Sequence, residues 1–196
     1  MNKMPRYYPI NLVLKNKKCV VIGAGAVAER KVRSLLECGA RVLVIGRTIS
    51  PGLKAMANMG KIILKHRKVN LRDLFGAYLV IAATADRSIN SAISAYCRKK
   101  NIMINVVDSP EECSFILPSI IRRGDLTVSI STGGISPALA KRIRQDLEKA
   151  FGGEYAALLG MMKKVRPLVL KKIKSAKDRK MFFNKMLKGI LDDAGV

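Results

Sequence analysis

Apolar residues along the chain gather into short runs of strand length: CVVIG at 19–23, RVLVIG at 41–46, KIILK at 61–65, YLVIAAT at 78–84, IMINVVD at 102–108 and LTVSIS at 126–131. Most are β-branched and nearly continuous, which is the pattern of strands covered on both faces. Between them the period changes to that of a helix. AVAERKVRSLLECG (26–39) sets Val27, Val32, Leu35 and Leu36 on one side and ends at Gly39, a residue suited to a helix stop. DRSINSAISAYCRKKN (86–101) opens on Asp86 as a cap and repeats Ile89, Ile93 and Tyr96 at helical intervals. Strand and helix in alternation predict an α/β fold built on a Rossmann-like, doubly wound parallel sheet.

Near residue 113 the pattern shifts. CSFILPSIIRRGDLTVSIS reads as two short strands in a meander, and SPALAKRIRQDLEKAF as a helix capped by Ser136, with Pro137 in its first turn and Leu139, Ile143 and Leu147 as its stripe. From 152 onward there is no strand signal. YAALLGMMKKVRPLVLKKI predicts a helix bent or broken at Pro167, and KDRKMFFNKMLKGILDDAG a second, with Phe182, Phe183 and the methionines on a face packed against the main body. The expected division is a sheet domain over 1–112, a strand-and-helix segment over 113–150 and a small helical domain over 151–196.

At 196 residues the chain holds one full core and a modest appendage. No apolar run approaches the ~20 residues of a membrane span, and lysines break NLVLKNKKCVVIG too early for a secretory leader, so a cytoplasmic location is expected. The four cysteines, Cys19, Cys38, Cys97 and Cys113, show neither a CxxC pair nor zinc spacing and read as reduced core thiols. Charge alters the picture more: 37 Lys and Arg against 14 Asp and Glu give a formal +23. Such a field concentrates polyanions, though charge alone does not choose among nucleic acid, an acidic membrane and a small polycarboxylate.

Candidate chemistry begins at VVIGAGAVAER, a GxGxxA run between a predicted strand and a predicted helix. In that setting Gly23 permits the tight turn, Gly25 admits a pyrophosphate, Ala28 packs helix on strand, and the N–H groups of Ala26 and Val27 face phosphate. The second strand ends in Gly46, Arg47 and Thr48, where an NAD-reading acid would stand. Arg47 is either a solvated loop cation or the partner of an adenosine 2′-phosphate, which leaves NAD or NADP open. Thr84, after the fourth strand, is a candidate for the nicotinamide half or a loop cap. Asp108 ends the fifth strand on the ligand-binding edge, before Ser109 and Pro110; it is either a proton acceptor facing the cofactor or an Asx cap of its own turn. His66 has no acid or thiol at ligand spacing and reads as surface, so no metal site is expected.

Taken together, VVIGAGAVAERKVRSLLECGA, AATADRSIN and NVVDSPEECSFILPSIIRRGDLTVSISTGGISPALAKRIR resemble the precorrin-2 dehydrogenase and sirohydrochlorin ferrochelatase family of sirohaem synthesis, from about residue 7 to about 150. The resemblance implies a homodimer in which 113–150 is the dimerisation segment, and NAD (or NADP) as cofactor. It also implies a polyanionic tetrapyrrole substrate, with Fe²⁺ as a second substrate if iron is inserted. By the same resemblance Asp108 is the catalytic aspartate, Ala26, Val27, Arg47 and Thr48 lie against the cofactor, and Ser114, Thr132, Gly133 and Gly134 are substrate contacts. Thr132 stands where relatives often carry serine. Cations of SIIRR and LAKRIR, with the amides of STGGIS, are suited to carboxylate arms, unless those glycines serve only a turn. Other readings are a dehydrogenase served by a separate chelatase and a nucleotide-sensing module without chemistry. A nucleic-acid binder is disfavoured by the absence of tryptophan and an aromatic content of 5%.

Overall fold

The computed structural model describes residues 6–193, so the first and last residues of the outer predicted domains, and Ala194 and Gly195 of the predicted last helix, lie outside the described residues. The chain divides into two compact units between Ile116 and Leu117. In the first, β1 (Lys18–Ile22), α1 (Ala26–Glu37), β2 (Arg41–Gly46), α2 (Pro51–Asn58), β3 (Ile63–His66), β4 (Leu79–Ala82), α3 (Arg87–Lys99) and β5 (Met103–Val106) follow one another, with short 3₁₀ turns at Leu71–Leu74 and Pro110–Glu112. All strand pairs are parallel and the order is β3-β2-β1-β4-β5. The chain therefore reverses direction between β1 and β4, the crevice where open α/β sheets bind ligands.

Each face of the sheet has its own core. On one, Cys19, Val21, Val42, Val44 and Ile81 pack against Ala28, Val32 and Leu35 of α1 and Leu53 and Met56 of α2. On the other, Val20, Ile22, Leu43, Val80 and Ile104 meet Ile93 and Cys97 of α3 and Leu74. Covering both faces is what makes these strands apolar at successive positions, each large aliphatic side chain contributing about 1.5–3 kcal/mol. Helix α2 has no counterpart in the sequence reading. Its eight residues are too few to set a period, and Ser50, whose hydroxyl accepts from Leu53 N at 3.3 Å, with Pro51 behind it, is its main signal.

The second unit has an antiparallel pair, β6 (Ser119–Arg123) and β7 (Leu126–Ile130), then α4 (Pro137–Ala150), α5 (Glu154–Lys172) and α6 (Ala176–Asp193). Ser136 caps α4 through Leu139 N at 3.2 Å. The expected break does not occur: α5 is one continuous helix with Pro167 inside it. Pro167 and Lys163 are both exposed, so the carbonyl that loses its partner is free to bond water. Met181 and Phe182 remain exposed at 58% and 40%, where a packed face had been expected; Phe183 is half-buried, edge-on to Phe182 and beside Arg166. No described helix is long and apolar enough to cross a membrane.

Candidate active site

The carboxyl ends of the strands are tied together through their first loop residues. Gly23 N donates to Ile45 O at 2.8 Å, Ala83 N to Ile22 O at 2.7 Å and Val107 N to Ala82 O at 2.9 Å. Gly23 has φ +104°, and a Cβ there would collide with the carbonyl oxygen of Ala83 and lie 2.7 Å from its carbon. Only glycine fits, because the turn must pass directly over the end of β4. At Gly25 a Cβ would meet no atom within 4 Å. Packing within the chain therefore does not demand glycine at this position. No side chain caps α1, so the N–H groups of Ala26 and Val27 keep their outward capacity, while Ala28 is buried against the sheet.

These loops enclose a cavity of about 420 Å³, lined among others by Gly23, Gly25, Arg47, Thr48, Arg67 and Lys68. A second, of about 320 Å³, is lined by Asp108, Arg87, Asn90, Ser91, Glu111 and Glu112. Thr84 and Ala85 line both, so the cavities adjoin. The Thr84 hydroxyl donates to Asn90 Oδ1 at 2.8 Å and accepts from Asp86 N at 3.2 Å, and Asn90 returns Nδ2 to Thr84 O at 3.0 Å. Thr84 thus binds the β4–α3 turn together.

Asp108 stands at φ +61° in the turn after β5, a left-handed conformation that Asp tolerates better than most residues. Its carboxylate is exposed and takes no hydrogen bond or ion pair among the described residues. The turn is instead closed by backbone, Ser109 N to Val106 O and Glu112 N to Ser109 O. Half-buried Lys31 of α1 feels the Asp108 charge. Burial and then Arg30 hold its ammonium below the usual lysine range, and Asp108 pushes it back up. The Asp108 carboxylate thus stands unengaged beside a cavity, within electrostatic reach of the Lys31 ammonium. Lys31, Arg67 and Lys68 escaped the sequence reading; Lys31 is a polar position in a helix pattern, and the other two lie in what reads as a basic surface stretch.

Other predicted contacts fall elsewhere. Ser114 runs beside β5, its hydroxyl accepting from Ile104 N at 2.9 Å, and lines neither cavity. In the second unit Thr132 Oγ1 donates to Ser136 O at 2.9 Å and accepts from Ser136 N at 3.1 Å, closing a turn in which Gly133 and Gly134 have φ +64° and +85°. Of the predicted carboxylate receptors, Arg123 is held by Phe151 O, Arg142 by Asp146 and Arg144 by Glu148; no ion pair engages Lys141 among the described residues. Burial pushes the Cys19 and Cys97 thiols up to about 11, which suits inert core thiols. No group of three or more His, Cys, Asp or Glu among the described residues is arranged to hold a metal.

A family model described as putative NAD(P)-binding matches residues 10–119, and one described as sirohaem biosynthesis protein central matches 123–150. The siroheme synthase of Methylococcus capsulatus is 37% identical over 183 residues, and that of Nitrosomonas eutropha 38% over 184, each match spanning 93% of this chain and 39% of the relative. The chain therefore spans about two-fifths of the length of these curated relatives. Among solved structures, SirC, a precorrin-2 dehydrogenase, superimposes with a TM-score of 0.78 at 26% identity, covering 92% of this chain and 89% of that one.

Proposed function

The chain belongs to the putative NAD(P)-binding family, and on that premise we propose that it oxidises precorrin-2 to sirohydrochlorin in sirohaem synthesis, with Asp108 as the base. The reaction removes two hydrogens from the macrocycle. A bound nicotinamide supplies the hydride acceptor, NAD or NADP. The chain's own part is to seat the pyrophosphate on the free amides of Ala26 and Val27, with Gly25 leaving room for it, and to take the remaining hydrogen as a proton at the Asp108 carboxylate. The observation that carries this reading is the unengaged Asp108 carboxylate in a cavity that adjoins the glycine-loop cavity through Thr84 and Ala85. Similarity to the solved precorrin-2 dehydrogenase over nearly the whole chain supports it.

Iron insertion is the second reading, since it too requires a base, for two pyrrole N–H protons, and needs no resident metal site. The proposal includes a homodimer: Leu139, Leu168, Leu170, Met181 and Phe182 are all exposed on the second unit, apolar area that a second copy of the chain would cover.

Anaerobic incubation of the protein with precorrin-2 and NAD⁺ or NADP⁺, followed by the tetrapyrrole spectrum and then by addition of Fe²⁺, tests the assignment. Asp108→Asn keeps the left-handed turn, which Asn tolerates, and removes the base. Oxidation falls by about 10²-fold or more while dinucleotide binding survives. Undiminished turnover in that variant would remove Asp108 from the mechanism.

A further inference from the structure

Asp108 sits on a loop that leaves β5 after Val106 and returns to that strand at Cys113 and Ser114. The loop is tied at both feet and at its tip, and none of the ties uses the Asp108 side chain. Resting on the reading that Asp108 is the base, we propose that Ser94 and Cys113 are positioning residues for it, assisted by Arg98: they hold the loop so that the carboxylate stays in the cavity wall.

The feet lie on an open strand edge. β5 ends the sheet order β3-β2-β1-β4-β5, and the returning chain completes its outer edge with side chains in place of a further strand. Ser114 N donates to Ile104 O at 2.8 Å, and Ser114 Oγ accepts from Ile104 N at 2.9 Å. Cys113 Sγ accepts from Val106 N at 3.1 Å, and its single hydrogen has Val106 O and Ser109 O to choose from, both at 3.3 Å. The thiol therefore grips the chain on both sides of Asp108. Burial, foremost, pushes the Cys113 thiol up, so at neutral pH it keeps the hydrogen that these carbonyls receive. Buried Asn105 adds a bond from Nδ2 to Phe115 O at 3.1 Å.

The tip is held from α3. Ser91, Ser94 and Arg98 recur at spacings of three and four, which sets them on one helical face, beside the Ile93 and Cys97 stripe that enters the core. All three are spent on the loop. Ser94 Oγ donates to Glu112 O at 2.7 Å, Ser91 Oγ to the Glu112 carboxylate, and Arg98 Nη2 to Glu111 O. Ser94 is only 3% exposed, so its bond forms where water does not compete. Such ties are needed because Asp108 stands at φ +61°, a conformation that costs free energy and lasts only where the surroundings over-determine it. Its own carboxylate, unengaged among the described residues, does not hold it there. Placement matters to a base, since a displacement of about 1 Å can cost about 10²-fold in rate.

Anaerobic assays of the purified full chain with precorrin-2 and NAD⁺ or NADP⁺ test this in Ser94→Ala, Cys113→Ala, Cys113→Ser and Arg98→Ala, each with and without Asp108→Asn. Ser94→Ala and Cys113→Ala are expected to lower kcat about tenfold and Arg98→Ala about threefold, while KM for precorrin-2 and the dissociation constant of the dinucleotide move less than about threefold. Cys113→Ser, which keeps a donor and an acceptor, regains most of the rate. In the Asp108→Asn background each loss shrinks to less than about twofold, because nothing remains to be positioned. A merely structural role would multiply through both backgrounds. Arg98 is exposed, so its variant keeps the inference testable should loss of the buried serine prevent folding, with thermal unfolding as the control. Full turnover in every folded alanine variant overturns the inference and leaves the base reading intact, and so do losses that multiply with that of Asp108→Asn. Undiminished turnover in Asp108→Asn itself removes the reading on which the inference rests, and the inference with it.

Discussion

At the scale of single residues, the carboxylate most strongly held by its neighbours lines neither cavity. Asp73 has a side chain only 5% exposed and accepts from Arg67, Asn70 N at 2.9 Å and Lys65 Nζ at 3.0 Å. Arg67 first, then the Asn70 amide and Lys65, hold its carboxyl well below the usual carboxylate range against the cost of burial. A depressed folded value means that the stabilisation is fully present above the unfolded value, about 3.9, and is lost as pH falls further. Asp73→Asn should therefore lower unfolding free energy by about 2–3 kcal/mol at neutral pH. Urea unfolding at a series of pH values should give a constant gap between the two proteins down to about pH 5 and a narrowing one below about pH 4; a gap still full at about pH 3 would contradict the account. Asp73 was not legible in the sequence, because one acid among basic residues carries no period. The place of Asp108 just past a strand end was legible, but its unengaged state depends on backbone bonds closing the turn, which no spacing reveals.

At the scale of elements, the glycine loop separates two requirements that the GxGxxA pattern merges. Gly23 is needed by the fold, through its φ of +104° and its contact with Ala83, whereas a Cβ on Gly25 meets nothing. Gly23→Ala should cost about 2–4 kcal/mol or prevent folding. Gly25→Ala, at an extended φ of −85°, should melt within a few degrees of the unaltered protein and yet weaken dinucleotide binding by about tenfold or more. Thermal unfolding beside a dinucleotide titration distinguishes the pair, and equal loss of stability in both would show that the loop is only a packing device. The strands and α1, α3 and α4 were legible because long elements repeat their period, and the continuous apolar runs reported both covered faces. Helix α2 and the 3₁₀ turns were not, being held by caps such as Ser50 and Asn70 more than by a stripe. The continuity of α5 past Pro167 depends on exposure, which the sequence does not state.

At the scale of the whole molecule, the remaining term is the field of 37 cations against 14 acids. Near neighbours account for part of it: Arg33 pairs with Glu29, Arg142 with Asp146, and Lys65 and Arg67 with Asp73. These local pairs cancel charge in situ and leave the excess of +23 untouched, so the surplus acts at long range as attraction for anions. A substrate carrying many carboxylates samples that whole field during approach, while a dinucleotide meets mainly the groups lining its cavity. Long-range attraction is screened beyond about 10 Å at 0.1 M salt, whereas close contacts are screened far less. Raising salt from about 50 to 200 mM should therefore lower kcat/KM for precorrin-2 by about tenfold, chiefly through association, and change the dissociation constant of NAD⁺ by less than about threefold. Initial rates and titrations at matched ionic strengths make the comparison. If the two quantities fall together, the charge is serving the cavity alone; if neither falls, the surplus cations solvate the surface and take no part in drawing the tetrapyrrole in.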